Sequence, residues 1–144
     1  MAFHGTFEHT LDAKNRLTVP SKLRAAFSEG AFLVKEADKC ISLYPSTTYS
    51  ALTQAALSEM NPLSAQARDY KRWFHANAHA VELDSAGRVM LTTRQMEHAG
   101  IERDVVVIGA GDCLELWDRS TWEIYDRDLT ARAPELTASL GHPA

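Results

Sequence analysis

The first third of the chain alternates apolar and polar positions with a period of two. "FEHTLD" (residues 7–12) and "RLTVP" (16–20) predict two short strands that form a hairpin through a tight connection. "SKLRAAF" after Pro20 predicts a short helix, and "AFLVKEA" (31–37) with "CISLYP" (40–45) predicts a second hairpin turning at Asp38 and Lys39. The same succession returns as "HAVELD" (79–84), "RVMLT" (88–92), a helix in "TRQMEHAG" (93–100), and a hairpin of "DVVVIGA" with "CLELWD" around "GAGD". Thr92 or Thr93 suits the start of that helix and Gly100 its end.

Helical spacing occupies the remainder. "STTYSALTQAALSEM" (46–60) sets Tyr49, Leu52, Ala56 and Leu57 on one side, and "PLSAQARDYKRWFHANA" (62–78) opens on Pro62, a residue suited to a first helical turn. Ser120 and Glu123 form a capping box ahead of "IYDRDLTAR". The end, "APELTASLGHPA" (133–144), lacks apolar density and predicts fraying.

The recurrence is an internal repeat. With a shift of 72, Leu11, Asp12 and Arg16 fall on Leu83, Asp84 and Arg88; with a shift of 73, "CISLYPSTTY" falls on "CLELWDRSTW". The predicted class is α+β with a mainly β core, made of two tandem ββαββ units with flanking helices. The units occupy residues 5–47 and 77–120, joined by a helical linker at 48–76 and followed by a helix and frayed tail at 121–144.

Within each unit, Asp-x-x-x-Arg spans the connection between the first two strands. Asn15 and Gly87 occupy equivalent places and are the residue types that most readily take positive φ, so both loops can close through a left-handed residue. Asp12 and Asp84 can accept backbone N–H groups inside the turn, and Arg16 and Arg88 restart the next strand within reach of the carboxylate. Such a pair serves equally well as a structural pin or as a device that presents an arginine.

Composition narrows the class. The 144 residues, 45% hydrophobic and 24% charged, suit one compact domain or two very small ones. No apolar run reaches bilayer length and the N-terminus lacks signal-peptide character, so the cytoplasm is the expected location, with no membrane partner. Cys40 and Cys113 lack CxxC spacing and read as small buried hydrophobes. The net charge of −4 is uneven: residues 1–75 carry 9 Lys and Arg against 7 Asp and Glu, or +2, whereas 76–144 carry 6 against 12, or −6. Lys14, Arg16, Lys22 and Arg24 gather around the first turn in sequence, making it the better phosphate surface.

Together the two turns, "RLTVP", "GRV", the link "SEMNPLSAQARDYKRWFHANA" and "LELWDRSTWEIY" resemble the MraZ family, bacterial regulators with two SpoVT-AbrB-type units, over residues 1–130. The resemblance implies an AbrB-like swapped-hairpin, double-psi-type barrel formed by both units. It implies a homo-oligomeric ring, often an octamer, that is nucleoid-associated and binds direct repeats in double-stranded promoter DNA. The implied role is transcriptional regulation, as a repressor, of the cell-division and cell-wall gene cluster including the family member's own gene. Arg16 is the expected DNA contact, with Lys14, Lys22 and Arg24 beside it, and multivalency in a ring would supply affinity that one subunit lacks.

Other constellations carry less. His75 and His79 have i, i+4 spacing, but "HAVELD" opens a strand and puts His79 past the helix end, so no metal is expected. No nucleophile, Walker or paired-acid motif suggests catalysis, a cofactor or a small-molecule substrate. Tyr44, Tyr49, Trp73, Phe74, Trp117 and Trp122 suit core or subunit contacts better than base stacking, while Arg68, Lys71 and Arg72 can serve as surface, interface or second DNA contact. The competing class is an oligomeric, antitoxin-like module whose partner is a protein. Duplication within one chain favours the DNA-binding class.

Overall fold

The predicted strands form, and four of them choose partners that alternation alone does not specify. The computed structural model describes residues 2–141, with β1 at Thr6–Thr10, β2 at Arg16–Thr18, a 3-10 helix at Ser21–Phe27, β3 at Ala31–Lys35 and β4 at Ile41–Pro45. After α1 (Ser46–Ser58) and α2 (Ala65–Ala76), the second unit supplies β5 (Ala78–Val81), β6 (Arg88–Met90), α3 (Thr93–Ala99), β7 (Asp104–Gly109) and β8 (Leu114–Asp118); α4 covers Arg119–Leu140.

The hairpins β3–β4 and β7–β8 are antiparallel as expected. Neither β1 and β2 nor β5 and β6, however, form the hairpin expected of them. β1 pairs with β7 of the second unit, β5 pairs with β3 of the first, and β2 pairs with β6. The result is a six-stranded sheet ordered β1-β7-β8-β4-β3-β5 and a two-stranded ribbon, β2-β6. Exchanging each strand for its counterpart in the other unit reverses the sheet order onto itself, so the repeat is also a symmetry of the fold.

The core lies between these layers. Leu33, Ile41, Leu43, Val105, Val107, Leu114 and Leu116 on the sheet meet Leu17, Val19, Val89 and Leu91 from the ribbon and its flanks, all at most 2% exposed. Burying each such side chain contributes roughly 1.5–3 kcal/mol. On the sheet's other face, α1 is anchored by Tyr49, whose hydroxyl donates to the Phe74 carbonyl at 2.7 Å. The start of α4 is anchored by Trp122 and Tyr125 against Trp117.

Several helix boundaries differ from expectation. Leu52 is exposed and Thr53 takes the buried place near Tyr49, so the packed side of α1 is rotated from the one predicted. Pro62 precedes α2, which Ser64 caps by accepting the Ala67 N–H. Asp118, rather than Ser120, caps α4: its Oδ2 accepts the Thr121 N–H at 3.0 Å, leaving Ser120 inside the helix. α3 follows expectation, with a Thr92–Gln95 capping box and Gly100 left-handed at φ 67°. The expected frayed tail continues α4 to Leu140 despite Pro134, and its last residues, 142–144, lie outside the described residues. No α4 residue is buried, so local propensity rather than core contact sustains its later turns.

Candidate nucleic-acid interface

Each repeated turn is built around one carboxylate. Asp12 Oδ1 accepts the backbone N–H groups of Lys14 and Arg16, both at 2.9 Å, while Oδ2 accepts Arg16 Nε–H at 2.7 Å. The backbone closes beneath it: Asn15 N–H donates to Asp12 O and Asp12 N–H to Arg16 O. In the second copy Asp84 Oδ1 accepts from Ala86 at 3.0 Å and Arg88 at 2.9 Å, and Oδ2 accepts Arg88 Nε–H at 2.9 Å. Asn15 at φ 59° and Gly87 at φ 76° complete the two loops.

These bonds favour the ionised acids. The Arg16 backbone N–H, above all, lowers the Asp12 pKa from its ordinary 3.8, and the Arg88 backbone N–H does the same for Asp84. A folded value below the unfolded one gives stability that is present above the unfolded value and lost as pH falls through the folded value. Thermal melts taken from about pH 6 downward should therefore decline more gently at acid pH for an Asp12→Asn, Asp84→Asn double variant, which starts from a lower neutral-pH melting point. An acid decline as steep as the native one would show that the turns do not carry this dependence.

The turns sit at the two ends of the ribbon. Arg16 pairs with Met90, Leu17 with Val89 and Thr18 with Arg88. Leu17 and Val89 enter the core, so alternation sends Arg16, Thr18, Arg88 and Met90 to the opposite face, where Met90 is 59% exposed. Both arginines are pinned through Nε. Among the described residues, no hydrogen bond occupies their terminal amino groups, which remain available to an acceptor outside the chain.

Strand exchange redistributes the other cations. Arg24 does not join the first turn: its Nε–H donates to Val19 O at 2.8 Å and its guanidinium lies over Gly87 of the second turn, where any Cβ would collide with it. Lys22 stands 5.1 Å over the Phe7 ring of β1. In return, Thr93 and Met96 of the second unit line a hollow with Asn15 of the first turn. The charge contrast read along the sequence is thus partly evened out, because each turn borrows neighbours from the other unit. Lys14 is the contrast that stays local, its counterpart being Ala86.

The remaining candidates lie elsewhere. His75 lies in the last turn of α2 and His79 on β5, and no group of metal-binding side chains assembles among the described residues. Cys40 and Cys113 are buried and free, and burial pushes the Cys113 thiol up to about 11. Tyr49 packs with Phe32, Tyr44 and Phe74, and Trp117 with Trp122. Trp73 is 42% exposed beneath the Lys35 ammonium. On α2, Arg72 pairs with Asp69 and Arg68 donates to Leu63 O. Among the described residues no helix is long and apolar enough to cross a membrane.

Fold and turns together define a class: one chain holding two interlocked copies of a β unit, whose paired strands carry an arginine-bearing turn at each end. A family model described as "MraZ protein, putative antitoxin-like" matches twice, over residues 2–73 and 74–139, and the chain belongs to the MraZ family. It is similar to proteins named "Transcriptional regulator MraZ". The one from Acetivibrio thermocellus is 35% identical over 96% of both chains, that from Symbiobacterium thermophilum 34% over 95% of this chain and 99% of its own, and that from Corynebacterium urealyticum 41% over 85% of both. Those relatives are named as regulators of transcription, not as enzymes.

Proposed function

We propose that the chain is a sequence-specific, DNA-binding transcription regulator that lays the outer face of the β2–β6 ribbon in a major groove. The observation that carries this reading is the ribbon face itself, with two arginines pinned by aspartates and their terminal groups unoccupied. The major groove admits a two-stranded ribbon, and an arginine can address the O6 and N7 of guanine there. The names of the relatives agree with it.

Strand exchange supports the swapped-hairpin barrel that the family resemblance implies, with sheet and ribbon closing on one core. The resemblance extends the proposal to a nucleoid-associated repressor in the cytoplasm, a ring of about eight copies on direct repeats, acting on its own promoter and the cell-division and cell-wall genes beyond it. Bare apolar positions support self-assembly. α4 runs about 33 Å at 1.5 Å per residue, and Ile124, Leu136 and Leu140 on it are exposed, as is Leu63 before α2.

The test is binding to a duplex carrying the direct repeats upstream of the protein's own gene, against a scrambled duplex, across a salt series, with the mass of the assembly measured in parallel. Preference for the repeats, a steep fall of affinity with salt and a mass of several subunits are the expected results. Equal affinity for both duplexes, or a strict monomer, would defeat the proposal, and co-purification of a small protein partner in place of DNA binding would favour the antitoxin-like class.

A further inference from the structure

We infer that the groove between the end of α2, β5 and α3 is a track for the DNA backbone flanking the ribbon, with Arg94 and Lys35 as its phosphate contacts. The inference rests on the DNA-binding reading above and adds to it a surface that lies outside both turns.

The groove has a volume of about 700 Å³, and Lys35, His79, Arg94 and His98 line it against a single acid, Glu97. Neither Lys35 nor Arg94 has an ion-pair partner among the described residues. The Lys35 Nζ lies 5.7 Å from the centre of the Trp73 ring, an arrangement that orients the ammonium and leaves its hydrogens free. His98 is held by its Nε2, 2.9 Å from the Asp38 carbonyl oxygen. Two permanent cations beside one carboxylate make a site for an anion.

Position identifies the anion. Thr92, which also lines the groove, follows Met90 of the ribbon by two residues, and Leu91 N–H between them donates to Asn15 O of the first turn at 3.0 Å. A second hollow, of about 490 Å³, runs from Asn15 and shares Glu97 with the groove; its own lining holds Glu97 and Glu102 and no cation, so the cations begin beyond it, at Arg94. A ribbon seated in a groove about 12 Å wide has phosphates of both strands close on either side. Arg94 and His79 are exposed, as suits a chain ligand running past. The repeat adds an independent observation: a shift of 72 places Lys22 on Arg94 and Phe7 on His79, so each unit keeps a cation at this point, Lys22 over Phe7 of β1 and Arg94 in the groove with His79 of β5.

The experiment uses the full chain with the own-promoter and scrambled duplexes, comparing native protein with Arg94→Ala, Lys35→Ala, Arg94→Lys and, separately, Arg16→Ala. Each alanine in the groove should weaken both duplexes by the same factor and make the slope of log affinity against log salt shallower by roughly 0.9 for each engaged subunit. Arg94→Lys should keep the native slope, and melting points and assembly mass should not move. If Arg16→Ala abolishes promoter preference while both groove alanines leave the slope unchanged, the track is wrong and the DNA reading stands. If Arg16→Ala also changes nothing, the DNA reading itself fails. Saturable binding of inorganic phosphate that Arg94→Ala removes, with an unaltered salt slope on DNA, would assign a small-anion site and overturn the inference.

Discussion

Arg16→Ala is expected to cost about 2 kcal/mol of promoter discrimination for each engaged turn, roughly thirtyfold in affinity, with the assembly mass unchanged. The guanidinium is held at 2.7 Å by Asp12 and is only 25% exposed, so under the proposed function it would approach DNA already oriented and lose little freedom on contact. Arg88→Ala should cost less. Its turn is the same device, but Ala86 stands where the first turn has Lys14, and the Arg88 side chain is looser at 33% exposed. Several copies acting on successive repeats would multiply either loss. Asp12→Ala separates pinning from contact: it leaves Arg16 in place but unheld, and should weaken promoter preference while also lowering the melting point. Binding curves for the three variants on the same duplex decide the matter. Equal losses for Arg16→Ala and Arg88→Ala would remove the asymmetry between the turns.

Gly109→Ala is expected to be among the most damaging single-methyl additions, at about 3 kcal/mol of stability. The N-terminal segment crosses the end of β7 here: Phe3 and Gly111 exchange backbone hydrogen bonds, and Gly109 N–H donates to Gly5 O at 2.8 Å. A Cβ on Gly109 would lie 2.5 Å from the Phe3 carbonyl carbon and the His4 Cα, backbone atoms that cannot rotate away. Relief requires lifting the segment, which uncovers Phe3, now 2% exposed and stacked on Phe27. Gly100→Ala makes the comparison. That residue is left-handed at φ 67° with nothing within 4 Å of a new Cβ, so its cost is confined to backbone strain, about 1 kcal/mol. Denaturant titrations of the two variants should separate them clearly; matching midpoints would show that the crossing at Gly109 yields easily.

The turns were legible because their chemistry is local. Asp12, Asn15 and Arg16 interact within four residues, and Asn15 and Gly87 announced the left-handed position by type alone. The hairpins β3–β4 and β7–β8 were legible for the same reason, since short connections join adjacent strands. The partners of β1, β2, β5 and β6 were not. Alternation tells which face of a strand is buried, as it did for Leu17 and Val89, but carries no information about which strand lies beside it. The misplacement of Arg24 follows from that gap, because its contact with Gly87 exists only once the two units have exchanged strands. Helix starts failed through competition among local signals: Asp118 outbid Ser120 with a carboxylate that accepts from three donors. The helical tail was hidden because nothing in the core holds it.

Strand exchange has a consequence for how the sequence can change. Were the same sheet and ribbon assembled from two identical chains, every substitution in one turn would appear in the other at once, and both ends of the ribbon would have to serve the same purpose. Joined in one chain, the halves still need each other for every sheet partner beyond their own hairpin, yet the two turns and their surroundings can differ in sequence. Lys14 opposite Ala86, Asn15 opposite Gly87 and Arg24 opposite Met96 record that freedom. The interlock that draws each half's sheet partners from the other leaves the two ends of the ribbon free to differ.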